Sequence, residues 1–141
     1  MRASAAATGE GRLSTTHVRV RYAETDKMGV VYYANYLVWF EIGRTDWLRD
    51  TGATYRVLEE EGLGLPVIEA HCEYRAGARY DEEIEIRTVA RLVTPIRLAF
   101  DYQVLRQADG QLLATGYTVH AAIDRTGRPV RLPERVRNLF A

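Results

Sequence analysis

The sequence is short of the residues that most often carry covalent chemistry. Cysteine occurs once, at Cys72, so no disulfide can form within the chain and a reducing cytoplasm is the expected compartment. Serine occurs only at Ser4 and Ser14, never in a Gly-x-Ser-x-Gly frame, which removes the serine hydrolases. Histidine stands at 17, 71 and 120 without the close spacing of metal sites, and no glycine-rich phosphate loop is present. Neither a cofactor nor a metal is therefore expected. Cys72 follows His71 directly, but strand neighbours point to opposite faces, so the two cannot act together as nucleophile and base. A small core thiol is the simpler reading of Cys72.

An excess of either charge is missing too. Nineteen basic residues balance 19 acidic ones, which argues against nucleic acid or an anionic membrane surface as partner. No run approaches the ~18 apolar residues of a membrane span, and MRASAAATGEGRLSTT lacks the apolar core of a secretory leader. Residues 1–15 read as a disordered tail and 16–141 as one domain. A chain of 141 residues, 47% hydrophobic, buries roughly two thirds of its unfolded surface, enough for a real core.

What is present is periodic. HVRVRYAET sets Val18, Val20 and Tyr22 against His17, Arg19 and Arg21, the alternation of a half-buried strand. From Tyr33 to Asp50 the stripe Tyr33, Tyr36, Leu37, Phe40, Gly43, Trp47 and Leu48 recurs at three and four residues, and Gly52 stands where the helix should stop. Gly43 inside that stripe implies a close neighbour, because glycine costs about 1 kcal/mol relative to alanine there. A short helix or a loop is expected around Tyr55–Glu61, then four strands in LPVIEAHCEYRAG, DEEIEIRTVARLV, IRLAFDYQVLRQ and LLATGYTVHAAID, the last three as a meander. In the third of these, Leu98, Phe100, Tyr102 and Val104 share a buried face opposite the more polar Ala99, Asp101 and Gln103. LPERVRNLF opens as a short C-terminal helix. The whole reads as α+β, an antiparallel five-stranded sheet wrapped around a long central helix. One helix cannot cover both faces of such a sheet, so at least a dimer is expected.

Most carboxylates have bland explanations, solvated strand faces in DEEIEIR and a helix pair for Glu41 with Arg44. Asp26 differs. It follows a strand, precedes Gly29 and lies seven residues ahead of the expected first helical turn; read on its own it is a turn aspartate bonding its own backbone.

The stretch Arg21–Gly52, RYAETDKMGVVYYANYLVWFEIGRTDWLRDTG, resembles the signature of hotdog-fold acyl-CoA thioesterases of the 4-hydroxybenzoyl-CoA thioesterase type, including the branch associated with the Tol-Pal system. The matching elements are an aspartate with x-x-G-V-V-Y, then A-N-Y, then E-x-x-R-T; RAGARYDEEIEI resembles the family's second strand pair, so the likeness covers roughly residues 17–125. The resemblance implies a hotdog fold, hydrolysis of an acyl-CoA, and a homodimer or homotetramer with sites at the subunit interface. It also implies Asp26 as the catalytic carboxylate and the Tyr33 amide as the group that polarises the thioester carbonyl. Gly29, Val30, Tyr32, Asn35 and Tyr36 would shape the substrate site, and Arg75, Arg79 and Arg97 would meet coenzyme A phosphates. Tyr33 is a departure, since many members carry histidine there. The alternatives are a non-catalytic acyl-thioester binding module of the same fold and a hotdog dehydratase; the histidine–carboxylate arrangement of the latter is absent.

Overall fold

The computed structural model describes residues 12–140, so residues 1–11 of the expected tail lie outside the described residues. Strand β1 runs Leu13–Arg19, and a 3-10 turn, Tyr22–Glu24, follows it. Helix α1 is Asn35–Thr51, α2 is Tyr55–Glu60, and strands β2 to β5 are Val67–Tyr74, Glu83–Thr94, Arg97–Arg106 and Leu112–Ala121. Helix α3, Glu134–Phe140, ends the described chain. The five strands form one sheet in the order β1-β3-β4-β5-β2, every neighbouring pair antiparallel. The meander β3-β4-β5 and the α+β hotdog arrangement, with α1 laid across one sheet face, are as expected.

Three details depart from the sequence pattern. Strand β1 begins inside the expected tail, because Ser14 and Thr16 face inward and donate to Asp50 (3.0 Å) and Asp46 (2.8 Å) of α1. Tyr22 does not continue the strand alternation. Glu24 accepts the Arg21 amide at 2.8 Å and closes a turn, which leaves Tyr22 77% exposed. Helix α1 starts two residues later than its apolar stripe, so Tyr33 precedes it and Leu37 is exposed, while Trp39 joins Tyr36, Phe40, Gly43, Trp47 and Leu48 on the buried face. The helix stops as expected at Gly52, whose φ of 83° lets its amide turn back to the carbonyls of Leu48 and Arg49.

The helix lies very close to the sheet. A Cβ on Gly43 would stand 2.5 Å from Thr88 Oγ1 and 2.9 Å from Ile86, so only hydrogen fits. Gly116 plays the same part from the sheet side, where Phe40 occupies the space a side chain would need. Phe40 then stacks on Tyr102 with centroids 4.2 Å apart, and Trp47 is closed over by Phe140 of α3 at 5.1 Å. Leu98, Phe100, Tyr102 and Val104 face this core as expected. Their opposite face is more closed than its polarity implies, because Asp101 is held by Arg91 Nε at 2.7 Å and is only 2% exposed.

A buried polar seam runs through the core. Arg44 does not pair with Glu41 along the helix. It reaches under α1 to Tyr55 Oη at 3.1 Å and Tyr102 Oη at 3.5 Å. Tyr102 meets Thr118 at 2.6 Å, Thr118 meets His120 Nε2 at 2.8 Å, and His120 Nδ1 lies 2.9 Å from the Leu65 carbonyl. A carbonyl only accepts, so Nδ1 carries the proton, Nε2 accepts from Thr118, and each hydroxyl donates in one direction along the seam.

Burial lowers the His120 pKa from its usual value to about 4. The folded chain therefore resists protonation while the unfolded chain takes a proton near pH 6.5, so this histidine contributes stability above that pH and loses it as pH falls towards 4. Between pH 7 and pH 5 the loss through this group should be about 2 kcal/mol. Denaturant unfolding of wild type and His120→Gln at both pH values checks it: the wild type should show the larger drop, and equal drops would contradict a neutral buried His120.

Candidate active site

The loop between β1 and α1 is folded back on itself by its own backbone. Asp26 N–H donates to the Val30 carbonyl at 2.9 Å and Gly29 N–H to the Asp26 carbonyl at 3.0 Å, a tight turn that Gly29 permits with a φ of 81°. Met28 N–H donates to Asp26 Oδ1 at 2.8 Å. The turn-aspartate reading is thus realised with one carboxylate oxygen, while Oδ2 has no partner among the described residues. Asp26 is half-buried and so retains access to the space beside it.

Glu24 fixes this loop to the start of α1. Its carbonyl accepts Tyr32 N–H at 2.8 Å and Asn35 Nδ2 at 2.9 Å. Its carboxylate, 6% exposed, accepts Trp39 Nε1 at 3.3 Å and the Arg21 amide. The far side is held by the segment after β2: Val31 N–H donates to Ala78 O at 2.9 Å, and Ala78 N–H donates to the Tyr36 hydroxyl at 3.2 Å.

These contacts surround a cavity of about 370 Å³ lined by Asp26, Val30, Val31, Tyr33, Tyr36, Tyr74, Arg75, Ala76 and Gly77. Asp26 also borders a second depression, with Tyr22, Ala23, Thr25 and Lys27. Helix α1 opens on Ala34, which offers no side-chain cap, and the amides of Tyr33 and Ala34 donate to nothing among the described residues. Unpaired N–H groups and the positive end of the helix dipole therefore sit beside a carboxylate-bearing cavity. Among the described residues no group of three or more His, Cys, Asp or Glu could hold a metal ion.

The structure brings together Asp26, Val30, Tyr33, Tyr36 and Arg75 at this cavity. Gly29 shapes the turn, and Arg79 reaches its carbonyl at 3.5 Å, outside the lining. Asn35 ties the helix start to Glu24, and Tyr32 tilts against the Tyr33 ring at 4.7 Å; neither lines the cavity. Arg97 is not gathered here. It opens β4, while Arg106 at the strand's other end touches Gly77 at 3.2 Å, and ten strand residues span about 30 Å. Sequence reasoning missed Glu24 and Tyr74. For Glu24 the signal was the residue three after Arg21, the spacing of a capping box. Tyr74 left none, because its partner is 41 residues away.

The matching family signature is that of the thioesterase-like superfamily, over residues 20–140. The chain belongs to this superfamily. The acyl-CoA thioesterase YbgC of Haemophilus influenzae is 33% identical over 126 residues, 87% of this chain and 90% of its own length. Among solved structures, the hypothetical protein TT1821 of Thermus thermophilus is 39% identical with a TM-score of 0.84, covering 90% of this chain and 96% of that one. A DHNA-CoA thioesterase from Staphylococcus aureus is 35% identical with a TM-score of 0.80, covering 85% and 80%.

Gly29→Ala should lower the unfolding free energy by about 1 kcal/mol, the cost of a left-handed residue with a Cβ, since its Cβ would meet only Nη1 of the exposed Arg79 at 3.6 Å, an ordinary contact. Chemical denaturation measures this; no loss at all would mean that the turn relaxes out of the left-handed conformation.

Proposed function

We propose that Asp26 and the Tyr33 amide are the working groups of an acyl-CoA thioesterase. The chain is an acyl-CoA thioester hydrolase: it belongs to the thioesterase-like superfamily, and its relatives include acyl-CoA thioesterases from several bacteria. Within that class we assign it to the 4-hydroxybenzoyl-CoA thioesterase type, on the sequence from Asp26 through Thr45. The observation that carries the catalytic assignment is that Asp26, whose Oδ2 is free, and Tyr33, which directly precedes the uncapped N-cap Ala34 of α1, line one cavity.

In this reading the thioester carbonyl oxygen accepts the Tyr33 N–H, where the helix end stabilises the negative charge gained on attack. Asp26 Oδ2 attacks the carbonyl carbon, the C–S bond breaks, and coenzyme A leaves as its thiolate; water then hydrolyses the mixed anhydride to free acid and restores the carboxylate. The same position lets Asp26 instead take a proton from a water that attacks directly. Tyr33 acts through its backbone, so tyrosine in place of histidine leaves the donor unchanged. Val30 and Tyr36 contact the acyl group, which the tyrosine-lined cavity restricts to short, branched or aromatic chains. In the same reading Arg75, which lines the cavity, and Arg79, beside the turn, meet the phosphates of coenzyme A, and Arg97, at the far end of β4, joins them only from a second copy.

A second reading, a binding module without turnover, draws on the Asp26 Oδ1 bond to Met28, which a purely structural turn would also make. Thiol release from a panel of acyl-CoAs separates the two. Asp26→Asn should stay folded and lose 10²–10⁴-fold in kcat, whereas Tyr33→Phe should remain within about threefold. A near wild-type rate in Asp26→Asn would remove the catalytic assignment.

The proposed assembly is a homodimer or homotetramer in the cytoplasm, the compartment that suits the lone Cys72. Support comes from β2, an edge strand that exposes Val67, Ile68 and Tyr74 and ends at the cavity. Light scattering should give at least twice the 16.0 kDa chain mass, and activity per chain should fall on dilution below the dissociation constant. A fully active monomer would contradict an interface site.

A further inference from the structure

The structure assigns to Tyr74 the positioning of the backbone turn that presents the oxyanion donor, an inference that rests on the proposed roles of Asp26 and the Tyr33 amide. Tyr74 closes β2, and its hydroxyl donates to the Tyr33 carbonyl at 2.9 Å across 41 residues of sequence. That carbonyl also accepts Tyr36 N–H at 3.2 Å. The Tyr74 ring is held edge-on by two neighbours, Tyr33 at 6.3 Å and 90° and Tyr36 at 5.1 Å and 89°. Ring packing thus aims the hydroxyl at the helix start.

A peptide unit is planar and trans, so fixing a carbonyl fixes the direction of the N–H on its far side. The Tyr32 carbonyl is fixed within the turn by Asn35 N–H at 2.9 Å, which directs the Tyr33 N–H. The Tyr33 carbonyl is fixed by Tyr36 N–H and Tyr74, which directs the Ala34 N–H and sets the plane against which the first turn is built. Both N–H groups lack an acceptor among the described residues. Because Ala34 provides no cap, the usual local restraint on a helix start is missing, and the sheet edge supplies it through Tyr74.

Packing alone does not require the hydroxyl. Tyr74 is 46% exposed, and phenylalanine would keep both ring contacts. Desolvation and the neighbouring Cys72 thiol push its pKa up, so the phenol remains a donor at any working pH. Tyr74 lines the cavity beside Asp26, which puts the restraint next to the reacting atoms without making Tyr74 a reacting group.

The test is Tyr74→Phe, read by kinetics and by NMR of the Tyr33 carbonyl and the Tyr36 amide. Removing one oxyanion donor costs 10²–10³-fold, and loosening its support should cost less, about tenfold in kcat with KM within about twofold. The Tyr33 carbonyl resonance should shift, and exchange of the Tyr36 amide, which is bonded to that carbonyl, should accelerate. An unchanged kcat in a wild type that hydrolyses acyl-CoA and depends on Asp26 would overturn the inference and leave the catalytic reading standing. A raised KM at unchanged kcat would also overturn it, making Tyr74 an acyl contact. If wild type cleaves no acyl-CoA, or Asp26→Asn keeps its rate, the catalytic reading fails by itself. The NMR arm then decides alone, and an unmoved Tyr33 carbonyl resonance refutes the restraint.

Discussion

Glu24 carries a buried negative charge at the point where the loop and the helix must be held together. A carboxylate only 6% exposed is costly unless its oxygens are satisfied, and here the Arg21 amide, the Arg21 guanidinium at 3.5 Å and the Trp39 indole do so. Those partners come from the residue that opens the turn after β1 and from the second turn of α1. The backbone carbonyl of the same residue gathers Tyr32 and Asn35, so one residue fixes both ends of the segment that contains Asp26 and Tyr33. Nothing in that segment is long enough to be stable alone, and the site depends on this junction.

The helix can serve the site only because it lies flat on the sheet. Gly43 and Gly116 allow that approach from opposite sides, and the stack of Phe40 on Tyr102 fills the space between. Hydrophobic contact is tolerant of sliding, whereas the seam from Arg44 through Tyr102 and Thr118 to His120 is not, since a shift of one residue would leave several buried donors without acceptors. The apolar core brings the layers together, and the polar seam selects the register in which the helix start meets the cavity.

Much of this was legible in the sequence. Period-two alternation located four of the strands and the 3.6-residue stripe located α1, since each element buries one face against one partner. β1 was placed too late because its buried positions, Ser14 and Thr16, are polar and are satisfied by Asp50 and Asp46, which no hydropathy pattern registers. Tyr22 and Tyr33 fit the interior periodicity yet are exposed, because the aromatic pattern continues into turns where the backbone has already left the strand or not yet entered the helix. Arg44 looked like a surface partner of Glu41 for want of any local sign that Tyr55 and Tyr102 lie beneath it. Asp26 by itself looked like a turn residue, as its bond to Met28 bears out, and only the longer motif around it pointed to chemistry.

The central claim is geometric: one thioester carbonyl must reach the Tyr33 amide and the Asp26 carboxylate at once. A crystal structure with a non-hydrolysable ketone analogue of an acyl-CoA measures this directly. The carbonyl oxygen should lie about 2.9 Å from Tyr33 N, within the usual range of an oxyanion contact, with Asp26 Oδ2 facing the carbonyl carbon. A carbonyl bound away from the helix start, or with Asp26 turned from it, would contradict the assignment.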